Sequence, residues 1–359
     1  SGVRVRNPEL LSLGLTLPGF VERGKVIASL PSLGLLTLAA ITPKDVKVEY
    51  LEVADIRSAG NLPEFDAVAI STFTAQAYEA YQLADLYRER GTKVVMGGLH
   101  CSMVPDEAEA HADGVVVGEG EPLWPQVVED LKSNRLKRRY VDLLPGRYDL
   151  HLSPVPRYDL LDPERYNRVT LQTHRGCPID CEFCGSSPLL GKGSRRKTVS
   201  QILREVEAIL RLWPAPFIEF ADDNTFVNKE FGKELCRALI PYRVKWFTET
   251  DISIARESEL LTLMAQAGCR QVLVGLESVS EESLVGIDAG GWKKKQRGAY
   301  REAIRAIQSH GITVNCCFVI GLDGDDLSIF DRTERFIMES GIYDCQLTLL
   351  TPFPGTRLH

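Results

Sequence analysis

Three of the chain's nine cysteines, Cys177, Cys181 and Cys184, fall within eight positions of "LQTHRGCPIDCEFCGSS", residues 171 to 187. Thiols spaced four and then three apart on one loop can hold a soft metal or an iron–sulfur centre. Structural zinc would require a fourth ligand, usually a second C-x-x-C pair at a distance, and the sequence offers none. Three thiolates with an open fourth position suit a [4Fe-4S] cluster with one iron free to take a ligand, because electron-carrier clusters use four cysteines. The remaining cysteines read as small buried hydrophobes: Cys236, Cys269, Cys316, Cys317 and Cys345 lie inside helix or strand patterns, and Cys101 lies in another part of the chain.

The loop follows a strand-like run at 169 to 174, the first of a series continued near 217 to 220, 245 to 250, 271 to 275, 313 to 319 and 345 to 350. Helical spacing marks the stretches between, as in Ile202, Leu203, Val206, Ile209, Leu210 and Trp213 on one face, and in "SELLTLMAQAG" stopping at Gly268. Six βα repeats make most of a barrel but fall short of the eight that close one, and the reactive face is expected at the strand C-terminal ends.

Ahead of the barrel, "KVEYLEV" (47 to 53), "DAVAIST" (66 to 72), "KVVMGG" (93 to 98) and "DGVVVGEGE" (113 to 121) read as strands, and "AQAYEAYQLADLYRERG" as a helix ending at Gly91. That pattern predicts an open α/β sheet, which binds ligands beyond its strand carboxyl ends. Those ends carry Ser71 and Thr72, Gly97 and Gly98, and Gly118, Glu119 and Gly120. From 122 to 168 the chain is irregular and rich in proline and arginine, a linker composition. The expected boundaries are a first domain over 1–130, a linker over 131–168 and the barrel over 169–359.

At 359 residues and 44% hydrophobic, the chain can build two domains with real cores. A net charge of -7 argues against a nucleic-acid surface, which would call for a basic face. Basic runs at Arg195, Arg196 and Lys197 and at Lys293, Lys294 and Lys295 are expected as solvated faces or local anion contacts. The most apolar stretch, "LGLLTLAAI" at 33 to 41, is far shorter than the roughly 20 residues a bilayer span requires. With no charged and apolar leader, the expectation is a soluble, cytoplasmic protein with no transmembrane segment, where clustered cysteines signal metal or redox chemistry sooner than disulfides.

C-x-x-x-C-x-x-C with Phe183 before the last cysteine, placed after the first strand of a six-fold βα array, resembles the radical S-adenosylmethionine (SAM) superfamily. The resemblance runs through the second half. "FIEFADDNTF" is similar to the segment holding the SAM amino group and implies Phe220, Asp222 and Asp223 beside the cluster, although a helix N-cap would also explain Asp223. "KWFTETD" implies Glu249 at the SAM ribose, and "VLVGLES" implies Gly275, Glu277 and Ser278 as further contacts. "CFVIGLDGDD" resembles the fifth-strand motif that packs on adenine, and "LTPFPGT" the sixth-strand end; a turn would explain the glycines of both.

"PSLGLLTLAA", "STFT", "GGLHCSMVPDEA" and "VVVGEGE", within about 25 to 130, resemble the cobalamin-binding domain joined to one large radical SAM subfamily. The fold implied is α/β, an N-terminal Rossmann-like cobalamin-binding domain followed by a partial (β/α)6 radical SAM barrel. Ser71, Thr72, Thr74, Gly97, Gly98, His100, Gly118, Glu119 and Gly120 are the implied cobalamin contacts, their small or hydroxyl side chains letting a corrin and its tail approach the backbone. The D-x-H-x-x-G motif that supplies a lower axial histidine is missing: "DIRSAG" has Arg57 in that place, and His100 sits in the nucleotide-tail loop.

The resemblance implies a methyltransferase acting at an unactivated carbon. One SAM methylates reduced cobalamin; another is split to a 5'-deoxyadenosyl radical that removes a substrate hydrogen, and the carbon radical takes the methyl group. Implied partners are a small-molecule substrate, lipid or tetrapyrrole, and an electron donor such as flavodoxin or ferredoxin, with no nucleic acid. "IDAGGWKKKQRGAYREAI" and "TPFPGT" resemble members that modify hopanoids and bacteriochlorophylls, hence a large apolar substrate. The alternatives are an oxidative cyclase with the same cofactors and a non-catalytic cobalamin sensor, which would leave the cysteine triad unexplained. A methylthiotransferase would carry three more cysteines in the first domain, where Cys101 stands alone. Members usually continue past the last barrel strand, which implies either further sequence beyond His359 or an unusually open barrel.

Overall fold

The computed structural model describes residues 30–53, 56, 62–144 and 146–359, and the chain divides into two compact units, Ser1–Asn167 and Arg168–His359. The first unit runs α1 (Leu33–Ile41), β1 (Ala67–Ser71), α2 (Ala77–Glu89), β2 (Lys93–Gly97), α3 (Leu99–Met103), α4 (Pro105–His111), β3 (Gly114–Val117), α5 (Trp124–Lys132) and β4 (Arg139–Val141). Its strands pair in parallel in the order β1-β2-β3-β4. Successive side chains leave a strand on opposite faces. Val94, Met96 and Val115 accordingly pack on Tyr81, Ala84 and Tyr87 of α2, while Val95 and Val116 pack on Trp124 and Val127 of α5. Gly91, at φ +81°, takes the left-handed turn just past α2.

Two expectations change here. "KVEYLEV" forms no strand: Leu51 is exposed, so the run buries no complete face, and Tyr50 turns its hydroxyl to accept the Ser32 amide at 2.7 Å. The stretch 131–168, expected as a linker, contains β4, which pairs with β3 through Tyr140 and Val116, and it buries Leu150, Tyr158 and Leu161. Its prolines and arginines conceal a three-residue strand, and the first unit extends to Asn167. "DIRSAG", Ile56 aside, lies outside the described residues, as do 25–29 of the cobalamin-like stretch.

The second unit opens with β5 (Val169–Leu171), β6 (His174–Arg175), α6 (Ser186–Leu190), β7 (Arg195–Arg196), α7 (Val199–Leu212), β8 (Phe217–Phe220), α8 (Lys229–Leu239) and β9 (Lys245–Thr250). It continues with α9 (Ser258–Gln266), β10 (Cys269–Glu277), α10 (Trp292–Gln296), α11 (Tyr300–Ser309), β11 (Thr313–Ile320), α12 (Ser328–Ser340) and β12 (Asp344–Leu349). Six strands pair in parallel as β12-β11-β10-β9-β8-β5, each beside its neighbour in this series, so β5 and β12 stay edges and the barrel is open. β6 and β7 form a separate antiparallel pair beneath the cysteine loop.

One face of this sheet is apolar. Ile218, Trp246, Val272, Val274, Val314 and Phe318 are buried with Ile202, Val206 and Ile209 of α7, Leu260 and Met264 of α9, and Ile304 and Ile307 of α11. A capping box between Thr198 and Gln201 starts α7. The alternate positions turn inward and are mostly polar: Glu249 lies level with Leu273 and Asn315, and Gly275 level with Cys317 and Gln346.

Candidate functional site

Cys177, Cys181 and Cys184, each partly buried, lie on the loop that leaves the C-terminal end of β5 and its β6 extension. The loop is tied down at many points. Gly176, at φ +88°, passes so close to Gly191 and Gly193 that a Cβ would collide with their carbonyl oxygens. Asp180 adopts φ +55° and takes Lys192 Nζ at 2.9 Å and Arg357 Nη1 at 2.7 Å, and these cations, Lys192 first, hold its carboxyl below the usual range. Glu182 donates its amide to Ile287 O at 2.8 Å and accepts from the Leu358 amide at 3.2 Å. Burial pushes all three thiols up, Cys181 to about 12.

The segment after β8 holds this loop from below. Asp223 accepts the Gly176 amide at 2.7 Å through Oδ2 and pairs with Ser186 Oγ through Oδ1, so it orders the cysteine loop; the cap of α8 is Asn228. Asp222 is buried and accepts from Thr173 N at 2.7 Å, Thr173 Oγ1 at 2.5 Å and Thr225 Oγ1 at 3.0 Å. It braces β5 against β8. His174 beside it is raised: burial opposes its charge, but the Asp222 carboxylate outweighs burial. Phe220 was expected beside the cluster. It is instead stacked on Trp246, centroids 4.7 Å apart, on the helix-facing side, because alternation along β8 sends it with Ile218 into the core. Phe183 packs under the loop against Leu284, Ile287, Val319 and Leu322.

Glu249 ends β9 on the inward face, and its side chain has no partner among the described residues. Glu249 is exposed to the open interior, yet the surrounding protein, then the Glu219 charge, pushes its carboxyl up to about 7. Glu277, at φ +65°, folds back and pairs with Lys293 Nζ at 2.8 Å; Lys293 also donates to Gly275 O at 2.5 Å. A Cβ at Gly275 would collide with Glu277 Oε1, so the glycine makes room for this ion pair. Burial opposes charge on Lys293, but Glu277, then Cys181, hold it as the ammonium. The basic run expected as a solvated face therefore divides: Lys294 meets Glu281 at the surface, whereas Lys293 is buried at the mouth of the barrel. Lys197 is likewise buried, paired with Glu205. Ser278 is buried and accepts the Ser280 amide at 3.1 Å, a turn-forming role.

In the first unit the C-terminal ends of β1, β2 and β3 bring the expected residues together. Gly98, at φ +95°, lies against the Thr72 carbonyl, and Gly118, at φ +96°, against Asp142; neither position has room for a side chain. Ser102 Oγ links the two turns, donating to Gly98 O at 2.8 Å and accepting the Gly118 amide at 3.0 Å. Thr72 is buried and accepts the His100 amide at 3.3 Å. Glu119 is buried and takes the Tyr148 amide at 3.2 Å, and the Gly120 carbonyl accepts from Trp124 at 2.8 Å. His100 is buried with Nδ1 on Thr74 Oγ1 at 3.1 Å and Nε2 3.6 Å from Glu107. Nδ1 thus faces a hydroxyl, whereas Nε2 is buried without a hydrogen-bond partner among the described residues. Ser71 and Gly97 remain at the open strand ends.

The residues fit the groups implied. No three His, Cys, Asp or Glu side chains among the described residues converge on one point as a single metal ion would require. Three thiols on one loop are the donor set that a [4Fe-4S] cluster with one open iron would require. The partnerless Glu249 leaves an acceptor for a hydroxylated ligand, and Ser71 and Gly97 at the open strand ends suit a broad planar one. Asn224, Lys293, Asp180 and Arg357 escaped sequence reasoning; the only signal for Asn224 was its place in "ADDN".

Residues 171–337 match the family model of the radical SAM superfamily and residues 23–128 that of the B12 binding domain. The chain is 28% identical over 345 residues to bacteriochlorophyllide d C-12(1)-methyltransferase of Chlorobaculum tepidum, covering 94% of this chain and 74% of that protein. It is 28% identical over 347 residues to the hopanoid C-2 methylase of Rhodopseudomonas palustris, covering 93% and 64%. A radical S-adenosylmethionine methyltransferase from Kitasatospora setae, solved with cobalamin and a [4Fe-4S] cluster bound, has the same fold: TM-score 0.73 at 17% identity, over 93% of this chain and 75% of that one. Among the described residues no helix is long and apolar enough to cross a membrane.

Proposed function

We propose, from the premise that this chain belongs to the radical SAM superfamily and carries a B12-binding domain ahead of its radical SAM domain, that it methylates an unactivated carbon of a large, mainly apolar small molecule. The observation that carries the reading is the grouping of Cys177, Cys181 and Cys184 on one pinned loop at the reactive end of an open barrel, in a chain that also holds a B12-binding domain. Methyltransferases of a tetrapyrrole and of a hopanoid among its relatives support a substrate of that kind. When bound, the cluster supplies the electron that splits SAM to a carbon radical, and cobalamin supplies the methyl group.

The chain's own residues do the positioning. Cys177, Cys181 and Cys184 hold the cluster, and Asp223, Asp180 and the Glu182 backbone keep their loop in place. Glu249 accepts from the SAM ribose, and the Glu277–Lys293 pair faces its polar end, with Gly275 leaving the room that the pair needs. Ser71, Thr74, Gly97, Gly98 and the turn from Gly118 to Gly120 would form the cobalamin cradle, with His100 Nδ1 held by Thr74 Oγ1. A flavodoxin or ferredoxin donates the electrons. Nine free thiols suit the reducing cytoplasm in which we place the protein.

Changing Cys177, Cys181 and Cys184 together to Ala tests the assignment. Anaerobic reconstitution of the variant is expected to yield no iron, no sulfide and no SAM cleavage with an unchanged circular dichroism spectrum. Four irons per chain in the triple variant would sink it.

A further inference from the structure

Asn224 lies between the second barrel strand and the cysteine loop, and it is 2% exposed. Its side-chain amide is fixed from both ends. Nδ2 stands 2.9 Å from Asp251 Oδ2, and Oδ1 accepts from Thr250 Oγ1 at 3.3 Å. A carboxylate only accepts, so nitrogen and not oxygen must face Asp251. The amide cannot be the other way round, and its second hydrogen is the one directed at Cys177 Sγ, 4.0 Å away. The backbone is held as well, since the Asn224 carbonyl pairs with His174 Nε2.

The three thiols differ in what stabilises them as thiolates. Cys184 takes the backbone amides of Ser186 and Ser187, and Cys177 that of Ile179. Cys181 has the Lys293 ammonium nearby. Asn224 is the side-chain amide directed at the triad, donated from outside the loop and oriented by a buried carboxylate.

We propose that Asn224 is a positioning residue for the radical SAM reaction: it donates a hydrogen bond to the Cys177 thiolate and so raises the reduction potential of the cluster. This rests on the reading that Cys177, Cys181 and Cys184 hold a [4Fe-4S] cluster. Reduction adds negative charge to cluster and sulfurs together, so a donor to a ligand sulfur stabilises the reduced form more than the oxidised one. The device brings a deeply reducing cluster within reach of its electron donor.

The test is a potentiometric titration of the anaerobically reconstituted full chain, without SAM, following the electron paramagnetic resonance signal of the reduced cluster beside iron and sulfide content. Asn224→Leu keeps the volume and removes the donor; Thr250→Val removes only the hydroxyl that steadies the amide. At the potential that half-reduces the wild-type cluster, the loaded Asn224→Leu protein is expected to show a reduced-to-oxidised ratio about tenfold lower, a shift of about 59 mV to more negative values. Thr250→Val is expected to shift the same way by less. A fully loaded Asn224→Leu protein with an unmoved midpoint would overturn the proposal. Should that variant fail to load, an unmoved midpoint in loaded Thr250→Val would overturn it equally. A wild-type chain that takes up no four-iron cluster would instead refute the cluster assignment itself.

Discussion

Glu249 and Lys293 carry opposite lessons about charge in this barrel. Glu249 is exposed to the open interior, and the surrounding protein and Glu219 raise its carboxyl to about 7 from an ordinary 4.5, a shift that solvent screening makes small in energy. The folded state therefore favours the protonated form. Glu249 costs nothing below the ordinary value, and a penalty grows as pH rises from there through the folded-state value. Glu249→Gln, neutral throughout, is predicted to match the wild-type apoprotein in urea unfolding near about pH 4.5 and to exceed it at about pH 8. A stability difference that does not change with pH would contradict this. Lys293 is the reverse case, a cation kept charged in a buried place by Glu277. Lys293→Met strands that carboxylate and is predicted to cost about 3–5 kcal/mol, most of it recovered when Glu277→Gln is added. Simple addition of the two losses would show that the residues are not a unit.

The elements were legible where periodicity had room to repeat. Strands β8 to β12, and helices α7 and α9, stand close to where alternation and 3.6-residue spacing place them. The short pieces were not: β4 spans three residues inside a proline-rich stretch, and "KVEYLEV" has strand composition without a ladder to join. Within the site, the place of the three cysteines on a loop after the first barrel strand was legible from spacing and strand order together, whereas Phe220 was misplaced because motif order does not say which face of a strand a residue takes. Least legible were ties between distant segments. Arg357 reaches Asp180 across 177 positions, and the Leu358 amide meets Glu182 O. This clasp holds the cysteine loop from the chain segment after β12. Arg357→Ala is predicted to release iron several-fold faster under chelator challenge while the thermal melt of the apoprotein moves little, since the arginine is half-exposed and its surface share of the pair is weak. Unchanged iron retention would show that Lys192 and the backbone ties suffice.

At the scale of the whole chain, two α/β units serve one reaction: a radical SAM domain and, ahead of it, a B12-binding domain. The first presents short side chains at the ends of three parallel strands, and the second presents thiols and carboxylates at the mouth of an open barrel. Methyl transfer of the proposed kind consumes SAM in two ways. Donating a methyl group leaves S-adenosylhomocysteine, and splitting to the radical leaves methionine and 5'-deoxyadenosine. An oxidative cyclisation uses only the second. The most direct measurement is therefore the ratio of the two nucleosides formed by the cobalamin-loaded, reconstituted protein turning over with an apolar cell extract as the source of substrate and SAM carrying a deuterated methyl group. Equal amounts of S-adenosylhomocysteine and 5'-deoxyadenosine, matched by a product bearing one labelled methyl, is the predicted result. Formation of 5'-deoxyadenosine with a modified product that holds no label, and with no S-adenosylhomocysteine, would contradict it.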